Sequence, residues 1–126
     1  YGGAAAGVLV PPDSIESAAA PVALSDGATV AVDWDSGINF TVTLAGNRTL
    51  GFPTNIQPGT WRRLQVTQDG TGSRTLAFTA TGYYAGGGTA PALSTGAADV
   101  DVFYLYGRTT SIVEVYTGAA NLVQIA

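Results

Sequence analysis

The sequence predicts an all-β fold, an antiparallel β-sandwich of the jelly-roll kind that follows an extended N-terminal arm. Three observations support this. From Ala28 onward apolar and polar residues alternate with a period of two, turn residues recur at short intervals, and no segment after Ala28 favours a helix of ten or more residues. About eight short strands separated by such turns are typical of sandwiches and jelly-rolls. We therefore expect an arm or linker over residues 1–27 and a β-sandwich domain over residues 28–126.

The predicted arm is rich in alanine and glycine and is interrupted by Pro11, Pro12 and Pro21. Proline favours extended backbone, and Ser14 is placed to cap at most two helical turns before Pro21. This composition is typical of a connecting segment that leads into a domain. Since Tyr1 stands where a new chain would carry methionine, we also expect the chain to be part of a longer or processed protein.

The first strands of the predicted domain are short and regular. Apolar residues at 30 and 32 begin the alternation, and residues 38–44 give the clearest strand. There the apolar positions are Ile38, Phe40, Val42 and Leu44, and polar residues separate them. A short strand over 49–52 ends at Pro53, and residues 55–59 form a loop.

Residues 61–79 predict a β-hairpin. The strand over 61–68 has Leu64 and Val66 on one face, and its other face carries Trp61, Arg63, Gln65 and Thr67. Residues 69–73 (DGTGS) tolerate positive φ and favour a tight turn. We expect residues 74–79 to return along the first strand, with Leu76 and Phe78 inward.

The last part of the chain contains a strand that is apolar on both faces. A glycine-rich loop over 83–95 comes first, and in the strand over 99–106 Phe103 and Leu105 oppose Val100, Val102, Tyr104 and Tyr106. Such a strand is either central or covered by a neighbouring subunit. We therefore predict a subunit contact at Phe103 and Leu105, with Arg62 and Arg63 pairing with carboxylates across it. Strands over 111–117 and 121–125 follow.

Composition excludes much chemistry. The 126 residues include no Cys, His, Met or Lys, so disulfides, thiol nucleophiles, histidine bases, the common zinc ligands and Schiff-base lysines are ruled out. A net charge of −4 argues against nucleic acid, and no apolar run is long enough for a transmembrane helix. Charged residues make up 11%, against about 25% in a typical domain, which indicates a surface partly covered by other subunits.

Two aspartate pairs are candidate sites. In a strand, Asp33 and Asp35 would lie on one face about 7 Å apart, a spacing that overlaps the range for inverting glycosidases. Asp99 and Asp101 have the same spacing, but a calcium site needs further oxygen ligands that the sequence does not specify. Turn or exposed-face carboxylates explain both pairs better, so we expect no catalytic residue, no metal and no cofactor.

Aromatic residues supply the predicted ligand surface. Tyr83 and Tyr84 stand beside three glycines, and Trp34 stands between two aspartates, so each ring is a candidate for stacking on carbohydrate or filling a partner's pocket. The alternative for the tyrosine pair is that one ring closes the end of the sandwich with its hydroxyl in water.

Several motifs occur together and in a fixed order between residues 32 and 106. They are VDW at 32–34, FTVTL at 40–44, GNRTL at 46–50, VTQDGTGSRTL at 66–76, GTAPALST at 88–95 and ADV at 98–100. In this combination the chain resembles a module found in tail-fibre, minor-tail and head-fibre proteins of tailed bacteriophages. The match covers about three-fifths of the chain and leaves the first 27 residues outside it.

The resemblance implies a non-enzymatic structural module on the exterior of a phage particle, often a homotrimer. We expect a surface-exposed tail or head fibre that takes part in host attachment, in contact with other virion proteins and possible host surface glycans. Two alternatives stay open: a capsid decoration or cement protein whose arm lies across neighbouring subunits, and a carbohydrate-binding module.

Overall fold

The computed structural model describes residues 12–125, which are 42% strand and 9% helix. The β-rich class predicted from the sequence is confirmed, and no described helix after Ala28 reaches ten residues. The elements in chain order are α1 (Pro12–Ala19), β1 (Val22–Ala23), β2 (Thr29–Val30), β3 (Asn39–Leu44), β4 (Arg48–Leu50), β5 (Trp61–Gln68), β6 (Leu76–Phe78), β7 (Tyr83–Tyr84), β8 (Val100–Thr109) and β9 (Ile112–Ala119). Two single turns of 3-10 helix lie at Trp34–Ser36 and Gly86–Gly88. No helix among the described residues is long and apolar enough to cross a membrane.

The strands form a six-stranded sheet in the order β1-β3-β5-β8-β9-β7 and a three-stranded sheet in the order β2-β4-β6. The chain makes three successive passes, each with one strand in the large sheet and the next strand in the small one. In both sheets each pass pairs in parallel with the pass before it. The first part of the described chain therefore winds as a coil of stacked passes.

The pairing corrects the prediction of an antiparallel fold. Among the described strands, only β5 with β8 and β8 with β9 pair antiparallel, and β7 with β9 adds a further parallel pair. The predicted hairpin of 61–68 with 74–79 does not form, because β5 pairs with β3 and β8 while β6 pairs with β4. Side-chain alternation has the same period in both kinds of ladder, so it does not distinguish them.

One hydrophobic core joins residues of both sheets. The ring of Phe78, on β6, meets the ring of Phe103, on β8, edge-on at 6.2 Å between centroids. The buried members of this core are Val30, Val32, Trp34, Phe40, Val42, Leu44, Leu50, Ile56, Leu64, Val66, Leu76, Phe103, Leu105, Val113 and Val115. Burial of these side chains supplies the main driving force for folding.

The end of the predicted arm takes part in the sheets. Strand β1 pairs with β3, and the amide of Leu24 donates to the carbonyl of Thr41 at 2.7 Å. Asp26 forms a salt bridge with Arg48 of β4 at 2.8 Å. Residues 22–27 are therefore fastened to both sheets, whereas residues 1–11 lie outside the described part of the chain.

Candidate binding surface

The longest motif of the sequence, at 66–76, contains a buried side-chain amide, that of Gln68. Gln68 is the last residue of β5, and its side-chain nitrogen donates to the carbonyls of Arg74 at 2.8 Å and Ser94 at 2.9 Å. Its side-chain oxygen accepts the amide of Arg74 at 2.9 Å. One side chain therefore joins two loops to the end of a core strand, and it satisfies its own polar atoms there.

Asp69 closes the turn that follows. Its carboxylate accepts the backbone amides of Thr71 and Gly72 and forms a salt bridge with Arg74 at 2.9 Å. The hydrogen bond from Arg74 is the main reason that the pKa of Asp69 is lowered to about 2. Gly72 has φ +74°, and a Cβ there would lie 2.7 Å from the carbonyl oxygen of Thr95, so this position requires glycine.

Asp101 holds the neighbouring loop and the chain after β9. Its side chain is buried, and it accepts the amide and the hydroxyl of Ser94 and the amide of Asn121, each at 2.8 Å. Asp99 accepts the amide of Gly96 at 2.7 Å. The oxygens of both carboxylates thus fasten backbone, and we call the set Gln68, Asp69, Arg74, Ser94 and Asp101 the loop latch.

The other aspartate pair lies in a turn. Asp33 caps the 3-10 helix Trp34–Ser36: its Oδ1 accepts the amide of Asp35 at 2.9 Å and the side-chain amide of Asn55 at 2.8 Å. The bond from Asn55 is the larger cause of its lowered pKa. Because this segment is not a strand, the spacing that suggested a glycosidase pair does not apply. No group of three or more His, Cys, Asp or Glu residues among those described could hold a metal ion.

Trp34 lies inside the fold, which corrects its predicted placement. Its side chain is 1% exposed, and the guanidinium of Arg62 lies 4.7 Å from the ring centroid. Arg62 also donates to the carbonyl of Trp34 at 3.1 Å, and burial lowers its pKa. The Trp34 ring therefore has no free face for a sugar, and two of the three guanidinium nitrogens of Arg62 donate within its own chain.

Tyr83 and Tyr84 have different surroundings. The ring of Tyr83 packs edge-on against Phe52 at 5.4 Å and Phe78 at 5.2 Å, and its hydroxyl donates to the carbonyl of Gly51 at 2.8 Å. Burial raises the pKa of this hydroxyl, which is bonded to backbone and does not point into water. Tyr84 is 51% exposed, so its ring is accessible from solvent.

Phe103 and Leu105 also lie inside, which corrects the predicted subunit contact. Both side chains are fully buried in the core. The predicted contact lies on the inner face of this strand. The outer face of β8 carries Tyr104 and Tyr106. Tyr104 is 40% exposed.

Strand register collects these outward side chains into two rows. One row crosses the sheet from Trp61 through Tyr106 and Glu114 to Tyr84. The second row contains Asn39, Arg63, Tyr104 and Tyr116. We call Trp61, Tyr84, Tyr104, Tyr106 and Tyr116 the aromatic face.

Trp61 packs on two other rings of the aromatic face, and four of the five rings are exposed to solvent. Trp61 is 50% exposed, and its ring centroid lies 4.8 Å from that of Tyr106 and 5.7 Å from that of Tyr116, both tilted. The ring of Tyr104 lies over Gly118 on β9, where a Cβ would clash with it. The rings therefore support each other, which reduces the entropy lost when a partner binds.

The charges on this face differ in their partners. Arg108 forms a salt bridge with Glu114 at 2.6 Å and lies over the Tyr84 ring at 5.3 Å. Glu114 also accepts the hydroxyl of Tyr116, and this bond is the larger cause of its lowered pKa. Arg63 has only a long contact of 3.5 Å with the side-chain oxygen of Gln65, and it forms no salt bridge with any described residue.

Two open grooves border the aromatic face at Tyr84. One has a volume of about 640 Å³ and is lined by Phe78, Tyr83 and Pro91 among others. The other, of about 270 Å³, lies between Arg108, Glu114 and Tyr116. Tyr84 thus stands where the flat face meets concave surface.

Sequence reasoning missed most of this surface, although the signal was present. The alternation placed Trp61, Arg63 and Gln65 on one side of β5, and Tyr104 with Tyr106 on one side of β8. What the sequence did not reveal was the register that brings those two sides together. Comparison with known proteins adds nothing to this geometry, because no protein-family model, curated protein or solved structure matches the chain.

Proposed function

We propose that the chain is a non-enzymatic structural module on the exterior of a tailed-bacteriophage virion, a fibre domain that takes part in host attachment. The observation that carries the proposal is the division between the loop latch and the aromatic face. The motifs that resemble phage fibre modules contain four of the five latch residues, and an exposed surface suited to contacts lies apart from them.

The residues of the loop latch have structural partners, which favours a scaffold over an enzyme. The side chains of Gln68, Asp69 and Asp101 form hydrogen bonds with backbone amides, backbone carbonyls and neighbouring side chains. The sequence contains no His, Cys or Lys to activate a serine or threonine hydroxyl. Exposed tyrosine and tryptophan together with arginine are typical of surfaces that bind other molecules.

We also propose that the two sheets enclose their common core as a sandwich with mixed pairing, and that copies of the chain associate as a homotrimer. The low proportion of charged residues supports association. The aliphatic side chains of Leu122, Val123 and Ile125 support it further, because they are exposed near the end of the chain. Light scattering of the wild-type chain and of a Val123→Ser, Ile125→Ser variant tests this part: a trimer that the variant dissociates is expected, and a wild-type monomer would contradict it.

Immunogold electron microscopy tests the virion assignment. Antibodies raised against the recombinant chain are applied to phage particles from the organism that encodes it. Gold on tail or head fibres is the expected result. Gold spread evenly over the capsid shell would favour a decoration protein instead, and particles without any label would contradict a virion location.

A further inference from the structure

We propose that the aromatic face binds an anionic polysaccharide, whose sugar rings stack on Trp61 and the neighbouring tyrosines while a carboxylate or phosphate group pairs with Arg63. This inference deepens the proposed function, on which it rests for its setting, by naming the class of ligand at the surface described above.

The shape of the face suits a chain of sugar rings. Trp61, Tyr106 and Tyr84 lie in one row across β5, β8, β9 and β7, which spans about 14 Å at the usual spacing of strands. A pyranose ring presents C–H groups on its flat faces and hydroxyls at its edge. Flat aromatic side chains cover the C–H groups, and tyrosine hydroxyls and the amide of Gln65 are placed to bind the sugar hydroxyls.

The charge pattern selects an anionic ligand. Arg63 lies in the second row between Asn39 and Tyr104 and has no carboxylate partner among the described residues. A guanidinium forms paired hydrogen bonds with a carboxylate or phosphate, and these are stronger than bonds to neutral groups. The chain as a whole carries a net charge of −4, but charges beyond about 8 Å are largely screened at physiological ionic strength. The positive charge of Arg63 itself, and not the net charge of the chain, therefore determines which ligands this part of the face attracts.

A two-fold partner copy fits this face less well, and the association proposed above is assigned to exposed side chains near residue 125. In a two-fold contact the same surface meets itself, so a partner for Arg63 would have to come from the same two rows. The carboxylate in those rows is Glu114, which is already bound by Arg108 and Tyr116. Such a contact would cover the Arg63 charge without a partner for it, which is unfavourable.

Binding by the full 126-residue chain tests the proposal with three probes: polygalacturonate, a teichoic acid that carries phosphate, and neutral dextran. We expect affinity for at least one of the anionic polymers, weakening as salt rises, and little for dextran. Trp61→Ala should lower the affinity about tenfold or more, and Trp61→Phe should retain most of it, since stacking needs a ring.

The two arginines Arg63 and Arg48 provide a matched pair of variants. Arg63→Gln should lower affinity for the anionic polymer about tenfold and flatten its salt dependence. Arg48→Gln removes the same charge from the small sheet, far from the aromatic face in sheet order, and should leave binding unchanged. Circular dichroism and the thermal midpoint of each variant establish that it is folded.

Three results would overturn the proposal. The first is no binding to either anionic polymer, and the second is equal loss of binding in Arg63→Gln and Arg48→Gln. The third is a self-associated chain that Trp61→Ala converts to monomers, which would assign the face to a second copy. Gold-labelled fibres without polysaccharide binding would leave the proposed function standing and remove this inference alone.

Discussion

The loop latch and the aromatic face differ in polarity and in exposure to solvent. The latch is polar and largely enclosed, and its side chains end on backbone amides and carbonyls of two loops. The aromatic face is a flat surface on which Trp61 contacts two tyrosine rings, and four of its five rings are 40–51% exposed. One region satisfies its own hydrogen-bonding groups, and the other leaves apolar area and the guanidinium of Arg63, which forms no salt bridge with the described side chains, for a partner.

This difference shows that the sequence motifs describe how the loops are held, whereas other residues form the surface proposed to bind a partner. The recognisable strings at 66–76 and 88–95 contain four of the five latch residues, all except Asp101, and they describe how loops are held. The aromatic face comes from single residues of four strands, β5, β7, β8 and β9, and no short string contains it. Two chains that share the latch motifs would therefore share a scaffold, and their outward residues on β5, β8 and β9 would decide what each binds.

Removal of the buried carboxylate of the latch should have the largest effect on stability. Asp101→Ala leaves the Ser94 amide, the Ser94 hydroxyl and the Asn121 amide without their acceptor, and we expect a loss of about 3 kcal/mol or more in the free energy of unfolding. Guanidinium denaturation measures it. Asp101→Asn keeps one acceptor oxygen and should lose less; equal losses in the two variants would contradict this account of the latch.

A pair of glycines in the same turn gives the next largest contrast. Gly72→Ala places a Cβ against the backbone of Thr95 and Ala97 at positive φ, so we expect a loss of about 1–3 kcal/mol. At Gly70 nothing lies within 4 Å of an added Cβ, and Gly70→Ala should change stability little. Thermal unfolding of the two variants compares them, and similar midpoints would be evidence against a tightly packed turn.

The adjacent tyrosines extend the comparison to the border of the aromatic face. Tyr83→Phe removes the hydrogen bond to the carbonyl of Gly51 and keeps the ring, so a loss of about 1 kcal/mol is expected. Tyr84→Phe should stay within about 0.5 kcal/mol of wild type, as surface substitutions usually do. Urea denaturation distinguishes them, and a larger effect at Tyr84 would mean that its hydroxyl has a structural role.

The free energy of unfolding at acid pH should depend on the carboxylate of Asp69 in the latch. The pKa of Asp69 is about 2 in the folded chain, below its ordinary value of 3.8, because Arg74 and two amides stabilise the carboxylate. Its contribution is therefore present above pH 4, declines as the pH falls from there, and is lost on passing through about 2. Asp69→Asn should lose this part of the pH dependence; an unchanged slope between pH 4 and pH 2 would show that Asp69 does not contribute.

Much of the fold could be predicted from local pattern, and its pairing could not. The period of two identified the β-rich class and placed Leu64 and Val66 inward on β5. The same pattern fits parallel and antiparallel partners, so the hairpin expected after Gln68 was wrong. The buried amide of Gln68 instead directs the chain from the large sheet into a loop that leads to the small one.

The candidate site was predictable only in part for a similar reason. Alternation showed two apolar faces on β8 but did not show which one the small sheet covers, so Phe103 and Leu105 were expected outside in place of Tyr104 and Tyr106. Trp34 was expected at the surface because aspartates flank it. In the fold a turn of 3-10 helix directs its ring inward, under Arg62.

Guanidinium denaturation of a Trp61→Ala, Tyr116→Ala variant beside Asp101→Ala tests the division of roles most directly. Because the two rings are about half exposed and lie outside the buried core, we expect the double variant to lose less free energy of unfolding than Asp101→Ala. This is expected although Asp101→Ala removes far less side-chain area. A double variant less stable than Asp101→Ala would contradict the account, since the aromatic face would then hold the fold together.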